Sequence, residues 1–150
     1  MTGDNTSGRR FVGSDDWARR PPMHIHTLIV DPSPLGREAL KRALAATGLA
    51  RFTFTEAATA EEALHLFDPG TVDLVFLAFE KQTSLGVAFS LVGELRLRQT
   101  RPLLIVALGS ERSLERLQFA DIDHFLVRPV QPQTLERQLG PLLERLGSAF

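Results

Sequence analysis

The chain has 150 residues, a net charge of −1 and no cysteine. Its length suits one domain, and its 43% hydrophobic residues are enough for a core. The near-neutral charge gives no reason to expect nucleic-acid binding, and the lack of cysteine excludes disulfides, thiolate metal sites and cysteine nucleophiles. No apolar run reaches the roughly 20 residues that span a bilayer, and no export signal opens the chain. We therefore expect a cytoplasmic protein that does not contact a membrane.

Residues 1–22 differ in composition from the rest of the chain, because Gly, Ser, Asp and Arg prevail there. Such a segment buries too little apolar surface to offset its ordering entropy. We expect it to be a disordered tail that precedes one domain over residues 23–150. The alternative is that Phe11, Val12 and Trp17, the chain's only tryptophan, form a short docking segment.

The first strand and helix of the domain follow this tail. Residues 26–30 form a continuous apolar run of strand length. Ser33 and Pro34 then suit the N-cap and the first position of a helix. That helix is predicted over residues 35–47 and ends at Gly48.

The middle of the chain repeats the alternation of strand and helix. Residues 52–55 alternate apolar and polar side chains, which predicts a half-exposed strand. Thr59 and Glu62 form a capping box for a short helix that ends near Asp68. Residues 72–79 are the most hydrophobic strand and should be central. The next helix carries one buried stripe at helical spacing, formed by Ala88, Leu91, Val92 and Leu95.

The last elements complete the pattern. Residues 103–108 predict a buried strand, Ser110 caps a short helix, and residues 124–127 predict the fifth strand. One face of the final helix is lined by Leu135, Leu139, Leu142, Leu143 and Leu146. Gly140 and Pro141 should kink that helix. Five such alternations predict a doubly wound α/β domain, whose functional residues lie at the carboxyl ends of its parallel strands.

From Ile25 to Leu146 the sequence resembles the receiver domains of response regulators, on five segments in that family's order and spacing. They are Leu-Ile-Val-Asp-Pro-Ser-Pro-Leu at 28–35, Asp-Leu-Val-Phe-Leu-Ala at 73–78, Gly86, Pro-Leu-Leu-Ile-Val-Ala at 102–107 and Asp-His-Phe-Leu-Val-Arg-Pro at 123–129. The resemblance implies a flavodoxin-like, five-stranded parallel sheet of order 2-1-3-4-5. It also implies a cis bond before Pro129, because receivers hold the equivalent bond in cis.

The residues that perform receiver chemistry are altered here. Receivers move a phosphoryl group from a phosphohistidine to an aspartate, with Mg²⁺ held between acids and phosphoryl oxygens. In this chain the matching positions are Asp31, Pro32, Ala78, Ala107 and Arg128. Ala78 has no atom that can attack phosphorus, and Pro32 supplies no carboxylate for Mg²⁺. Ala107 lacks the expected hydroxyl, and Arg128 replaces Lys. We predict a degenerate receiver that is not an enzyme and has no catalytic residues, metal or cofactor.

Two interpretations of the remnant site follow from its charges. Asp31 and Arg128 would form an ion pair across the carboxyl edge of the sheet, or both would simply face water. Glu80 or Ser84 as a substitute phosphosite is disfavoured, because Asp31 would remain the only metal partner. A metal on His24 and His26 is disfavoured as well, because no third ligand is apparent.

The leading hypothesis is a phosphorylation-independent adaptor that binds protein partners in a bacterial two-component pathway. Receivers commonly pair through their fourth helix, fifth strand and fifth helix, so a homodimer is plausible. Candidate residues on that face are Arg112, Glu115, Arg116, Phe125, Glu136 and Arg137, with Phe125 at the family's switch aromatic. One alternative is a sensor that binds a small ligand or anion in the emptied pocket. Another is a phosphorelay receiver with an unconventional site.

Overall fold

The structure is a computed structural model that describes residues 23–148, so the predicted disordered tail and the docking segment around Trp17 lie outside the described residues. These residues form five strands: β1 (His24–Val30), β2 (Arg51–Ala57), β3 (Leu74–Ala78), β4 (Leu104–Gly109) and β5 (His124–Val127). They also form five helices: α1 (Pro34–Ala45), α2 (Ala60–Leu66), α3 (Leu85–Arg98), α4 (Glu111–Glu115) and α5 (Pro132–Ser148).

The strands form one sheet in the order β2-β1-β3-β4-β5, and every neighbouring pair is parallel. Helices cover both faces of this sheet, which confirms the predicted doubly wound α/β fold and its strand order. All five residues of β3 are buried, as expected for the central strand. No helix within residues 23–148 has the length and apolar content that a membrane crossing needs.

Alternation along the strands divides the core into two clusters. Val75 and Leu77 of β3 face the cluster that contains the buried leucines of α3. Leu74 and Phe76 face the other cluster, which contains the buried residues of α1 and α5. Successive side chains of a strand point to opposite faces, so a continuous apolar run is needed where both faces are covered.

The helices begin where hydroxyl side chains can cap them. Ser33 Oγ accepts a hydrogen bond from the backbone N–H of Gly36 at 3.0 Å, and Thr59 Oγ1 accepts one from Glu62 at 3.1 Å. Ser110 caps α4 in the same way. Each bond satisfies a helical N–H that has no partner in the first turn. The predicted caps at these three positions are confirmed.

Two elements are longer than their sequence patterns predict. β1 begins at His24, and β2 runs over Arg51–Ala57, because all seven residues of the two strands pair in register. The backbone ladder continues where the apolar pattern has stopped.

α5 continues through Pro141, and the buried leucines on both sides of it, Leu139 and Leu143, keep the helix packed on the sheet.

Glu56 of β2 joins the edge of the sheet to α1. Its Oε1 accepts a hydrogen bond from Arg37 Nε at 2.9 Å, and its Oε2 accepts one from Lys41 Nζ at 2.8 Å. The hydrogen bond from Lys41, followed by the one from Arg37, lowers the pKa of the Glu56 carboxyl below its ordinary value of 4.5. Ionised Glu56 is therefore favoured in the folded chain.

A lowered pKa in the folded state makes this contribution to stability depend on pH. It is present above the pKa of Glu56 in the unfolded chain and is lost as the pH falls through the folded pKa. We expect Glu56→Gln to be less stable than wild type near neutral pH and to approach wild type well below pH 4.5. Urea unfolding at both pH values measures this. Lys41→Met serves as the control, because it removes the first of the two hydrogen bonds to Glu56. In this background, the stability lost on Glu56→Gln should depend less on pH. An unchanged pH dependence would contradict the role of Lys41 in lowering the pKa of Glu56.

Candidate functional site

The residues that the sequence singles out lie at the carboxyl edge of the sheet. Asp31 directly follows β1, Ala78 is the last residue of β3, and Arg128 directly follows β5. Ala107 lies inside β4, opposite Leu77 on one side and Phe125 on the other. The backbone N–H of Asp31 donates to Ala57 O at 2.9 Å, so the β1–β2 ladder extends into the site.

Arg128 binds two carboxylates at once. Its Nη2 donates to Asp31 Oδ2 at 2.7 Å, and its Nη1 donates to Glu80 Oε2 at 2.7 Å. The Asp31 side chain is only 4% exposed, whereas those of Arg128 and Glu80 are 29% and 31% exposed. The predicted ion pair between Asp31 and Arg128 is present. Because a buried carboxylate without a partner would be costly, Arg128 is what allows Asp31 to lie there.

Glu80 is the partner that sequence reasoning missed. β3 ends at Ala78, and Glu80 opens a turn in which its N–H donates to Thr83 Oγ1 at 3.1 Å and its carbonyl accepts from Thr83 N at 2.9 Å. This turn, and not a continued strand, directs the Glu80 carboxylate to Arg128. The one signal in the sequence was an acidic residue two positions after the end of the strand.

The other Asp31 oxygen has its own partner, since Oδ1 accepts a hydrogen bond from Ser33 N at 2.9 Å. Oδ2 lies against the first turn of α1. A Cβ atom placed on Gly36 would lie 2.4 Å from Asp31 Oδ2, closer than real Cβ contacts come. Gly36 is therefore required by the carboxylate and not by its own backbone angles. A glycine in a predicted helix was the only trace of this requirement in the sequence.

The remaining site positions do not fit the magnesium ion that receiver chemistry uses. Ala78 and Ala107 are buried and carry no oxygen in their side chains, and Pro32 is exposed and supplies none either. Asp31 Oδ2 and Glu80 Oε2 are bound to a guanidinium. Among residues 23–148 no group of three or more His, Asp or Glu side chains is placed to hold a metal. Mg²⁺ is usually held by one or two carboxylates, and the two at this place are already bound by Arg128.

The predicted switch and interface residues are distributed around α4, β5 and α5. Phe125 is half-buried and packs on the core cluster of α3, while the other five are exposed: Arg112, Glu115, Arg116, Glu136 and Arg137. Arg116 places its guanidinium carbon 4.9 Å from the ring centroid of the buried Phe79. This cation–π contact ties the end of α4 to the residue after Ala78. The peptide bond between Arg128 and Pro129 is cis, in agreement with the expectation.

Two cavities flank the ion cluster. One of about 410 Å³ lies beside Arg128 and Pro129 and is lined on its other side by Gly36, Ala39 and Leu40 of α1. The second, of about 260 Å³, lies between the ends of β1 and β3 and the starts of α2 and α3. Ala78 and Pro32 line this second cavity, so it occupies the part of the site from which the expected acids are missing.

Comparison with known proteins gives a match in fold alone. No protein-family model and no curated protein matches the chain. A response regulator receiver domain from Methanospirillum hungatei JF-1 is 20% identical, with a TM-score of 0.64 over 84% of this chain and 98% of that one. The signal receiver domain of an HD domain-containing protein from Pseudomonas fluorescens Pf-5 is 22% identical, with a TM-score of 0.66 over 83% and 90%.

A third solved structure is a complex. It holds the histidine phosphotransfer signaling protein Ypd1 of Saccharomyces cerevisiae and the receiver domain of its downstream response regulator Ssk1. The matching chain is 17% identical to this one, with a TM-score of 0.57 over 85% of this chain and 89% of that one. The chain therefore has the CheY-like fold of response-regulator receiver domains.

The contact between Gly36 and Asp31 yields a test of the site. We expect Gly36→Ala to lower the free energy of unfolding by about 1–3 kcal/mol, because the added methyl group displaces the Asp31 carboxylate from Arg128. Urea unfolding monitored by circular dichroism measures the change.

Gly93 of α3 provides a matched control. It is exposed, and a Cβ atom placed there meets no heavy atom within 4 Å. Gly93→Ala should therefore raise stability by up to about 1 kcal/mol through helix propensity alone. If Gly36→Ala raised stability as well, the carboxylate would not be held against α1 as described.

Proposed function

We propose that the chain is a pseudo-receiver, a cytoplasmic adaptor of two-component-type signal transduction that binds protein partners without being phosphorylated and catalyses no reaction. The observation that carries this proposal is the closed ion cluster, in which Arg128 binds two carboxylates of its own chain. A receiver cation that must bind an incoming phosphoryl group has to be available for it. Here its two terminal nitrogens already bind Asp31 and Glu80.

The alternative of an unconventional phosphosite has little support from the geometry. The Glu80 carboxylate is bound by Arg128, and such a bond lowers the nucleophilicity that attack on phosphorus needs. Ser84 is the N-cap of α3, with its Oγ accepting a hydrogen bond from Val87 N at 3.3 Å.

An anion sensor at Arg128 is disfavoured by the same contacts. An anion that displaced Asp31 would leave this carboxylate buried without its cation. An anion that displaced Glu80 would only exchange one negative group for another on the same guanidinium. Leaving a buried charge unpaired costs about 3–5 kcal/mol, which an anion bound near the surface does not recover. The cluster therefore functions as an internal brace that holds the carboxyl edge in one arrangement.

Protein binding has support from the surface. The Ssk1 receiver domain was crystallised with a protein partner, so this fold can present a docking face. In this chain β5 is an edge strand, and Val127 on it is 52% exposed. The exposed arginines and glutamates of α4 and α5 on either side of β5 carry both signs of charge. Such a surface can complement a second copy of itself, as a two-fold interface requires.

Phosphorylation independence is tested directly by adding a mimic of the phosphoryl group. Beryllofluoride with Mg²⁺ mimics a phosphoryl group on an aspartate, and we expect it to leave the amide NMR spectrum of the full chain unchanged. A receiver that carries the complete set of acids, recorded under the same conditions, is the positive control. Shifts centred on Asp31 and Glu80 that require both Mg²⁺ and beryllofluoride would refute phosphorylation independence.

The homodimer is tested by charge reversal on its proposed face. If the full chain dimerises through α4, β5 and α5, Arg137→Glu should weaken the dimer about tenfold or more, because like charges then face each other. Arg51→Glu is the control, since Arg51 is exposed on β2, at the opposite edge of the sheet from β5. Sedimentation velocity over a range of concentrations reads both. Equal weakening by both variants, or a monomer throughout, would contradict this interface.

A further inference from the structure

The cavity of about 260 Å³ at the carboxyl edge has no part in the proposed adaptor face. Its floor is formed by buried apolar side chains, among them Val30, Leu77, Ala78 and Leu91. Thr59, at the start of α2, belongs to its exposed rim. We propose that this cavity is a binding site for a small, uncharged, largely apolar ligand that carries a hydrogen-bond acceptor such as a carbonyl oxygen.

The absence of charge decides the first property of the ligand. Within residues 23–148 none of the side chains that line the cavity is ionisable. The nearby charges, Asp31, Glu80 and Arg128, bind one another and are not part of the lining. An ion that entered would lose its hydration without gaining an opposite charge, which is strongly unfavourable. A neutral molecule meets no such penalty and gains from the burial of its apolar surface.

The polar groups of the lining decide the second property. Thr59 Oγ1 accepts a hydrogen bond from Glu62 N, and Thr83 Oγ1 accepts one from Glu80 N, both at 3.1 Å. Each hydroxyl thereby uses one of its two acceptor lone pairs toward the backbone, and its O–H proton is not used in that bond. In the described part of the chain neither hydroxyl donates to another group, so both can offer a proton to a ligand. Gln82 adds an exposed side-chain amide. Few polar groups around an apolar floor are typical of small-molecule sites.

The volume limits the size of the ligand. A dry apolar cavity of about 150 Å³ accommodates benzene, and pockets for drug-sized molecules begin at about 300 Å³. A cavity of about 260 Å³ lies between them and suits a molecule of one or two rings. Its position at the end of β3 and the start of α3 would let such a ligand act on the turn that holds Glu80.

Coumarin, a neutral two-ring lactone, is a suitable probe, and coumarin-3-carboxylate is its charged counterpart. Added to the full chain, coumarin should shift the amide NMR signals of Thr59, Thr83 and Ala88 in a saturable manner. The carboxylate should bind about tenfold more weakly or not at all, because its charge has no partner in the cavity. Shifts centred on Arg128 and Val130 instead, equal binding of both probes, or no saturable shifts would overturn the proposal.

Filling the cavity gives the second arm of the experiment. Ala78→Leu and the half-buried Ala60→Leu each place a larger side chain in the lining, and each should weaken coumarin binding by about tenfold. Ala60→Leu keeps the test valid if Ala78→Leu does not fold. Ala45→Leu, exposed at the end of α1 and outside the lining, should leave binding unchanged. Undiminished coumarin binding by the folded Ala78→Leu and Ala60→Leu variants would also overturn the proposal. So would nuclear Overhauser contacts between Trp17 and the cavity, because the occupant would then be a segment of the same chain.

Discussion

The bond network of Arg128 sets the geometry of the whole carboxyl edge. The guanidinium of Arg128, the residue after β5, binds Asp31 after β1 and Glu80 in the turn after β3. Three separate segments of the chain are thereby joined at one point. A planar guanidinium can do this because its two terminal nitrogens diverge toward different acceptors, whereas an ammonium acts as a point charge.

Two close contacts at glycines lie on either side of the ion cluster. Asp31 can lie beneath the start of α1 only because Gly36 has no side chain. On the opposite side, Gly109 ends β4, and a Cβ atom there would lie 2.1 Å from Phe79 O, so the backbone after β3 can approach β4 only at a glycine. Phe79 N donates to Leu108 O at 2.7 Å at the same place, and Arg116 covers the Phe79 ring. Beside the ion cluster, the backbone after β3 is thus packed closely against β4.

Much of this arrangement could be predicted from the sequence, for physical reasons that differ among the elements. β3 and β4 are continuous apolar runs because both of their faces are covered, so periodicity located them and length separated them from helices. Ser33 and Thr59 marked helix starts because a cap is a local interaction. The pair of Asp31 and Arg128 was predictable because a parallel sheet brings the ends of its strands together.

What could not be predicted depends on turns and on packing between distant segments. Glu80 reaches Arg128 through a turn closed by Thr83, and hydrophobic periodicity carries no information about such a turn. Gly36 is explained only by an oxygen five positions earlier that folds back against its helix. The cavity between β1, β3, α2 and α3 results from side chains that come from five regions of the chain. Arg51 and Glu56 of β2 were missed because ladder bonds do not require apolar side chains.

The difference in exposure between the ion pairs has a consequence for the behaviour of the protein in concentrated electrolyte. The Arg42–Glu38 pair on α1 has side chains that are 80% and 50% exposed, and mobile ions reach it freely. At about 1 M ionic strength the screening length falls to roughly 3 Å, so a pair of this kind loses most of its attraction. Asp31 is nearly inaccessible to mobile ions, and its bond to Arg128 is screened far less. High salt would therefore loosen the outer surface of α1 while the carboxyl edge keeps its shape.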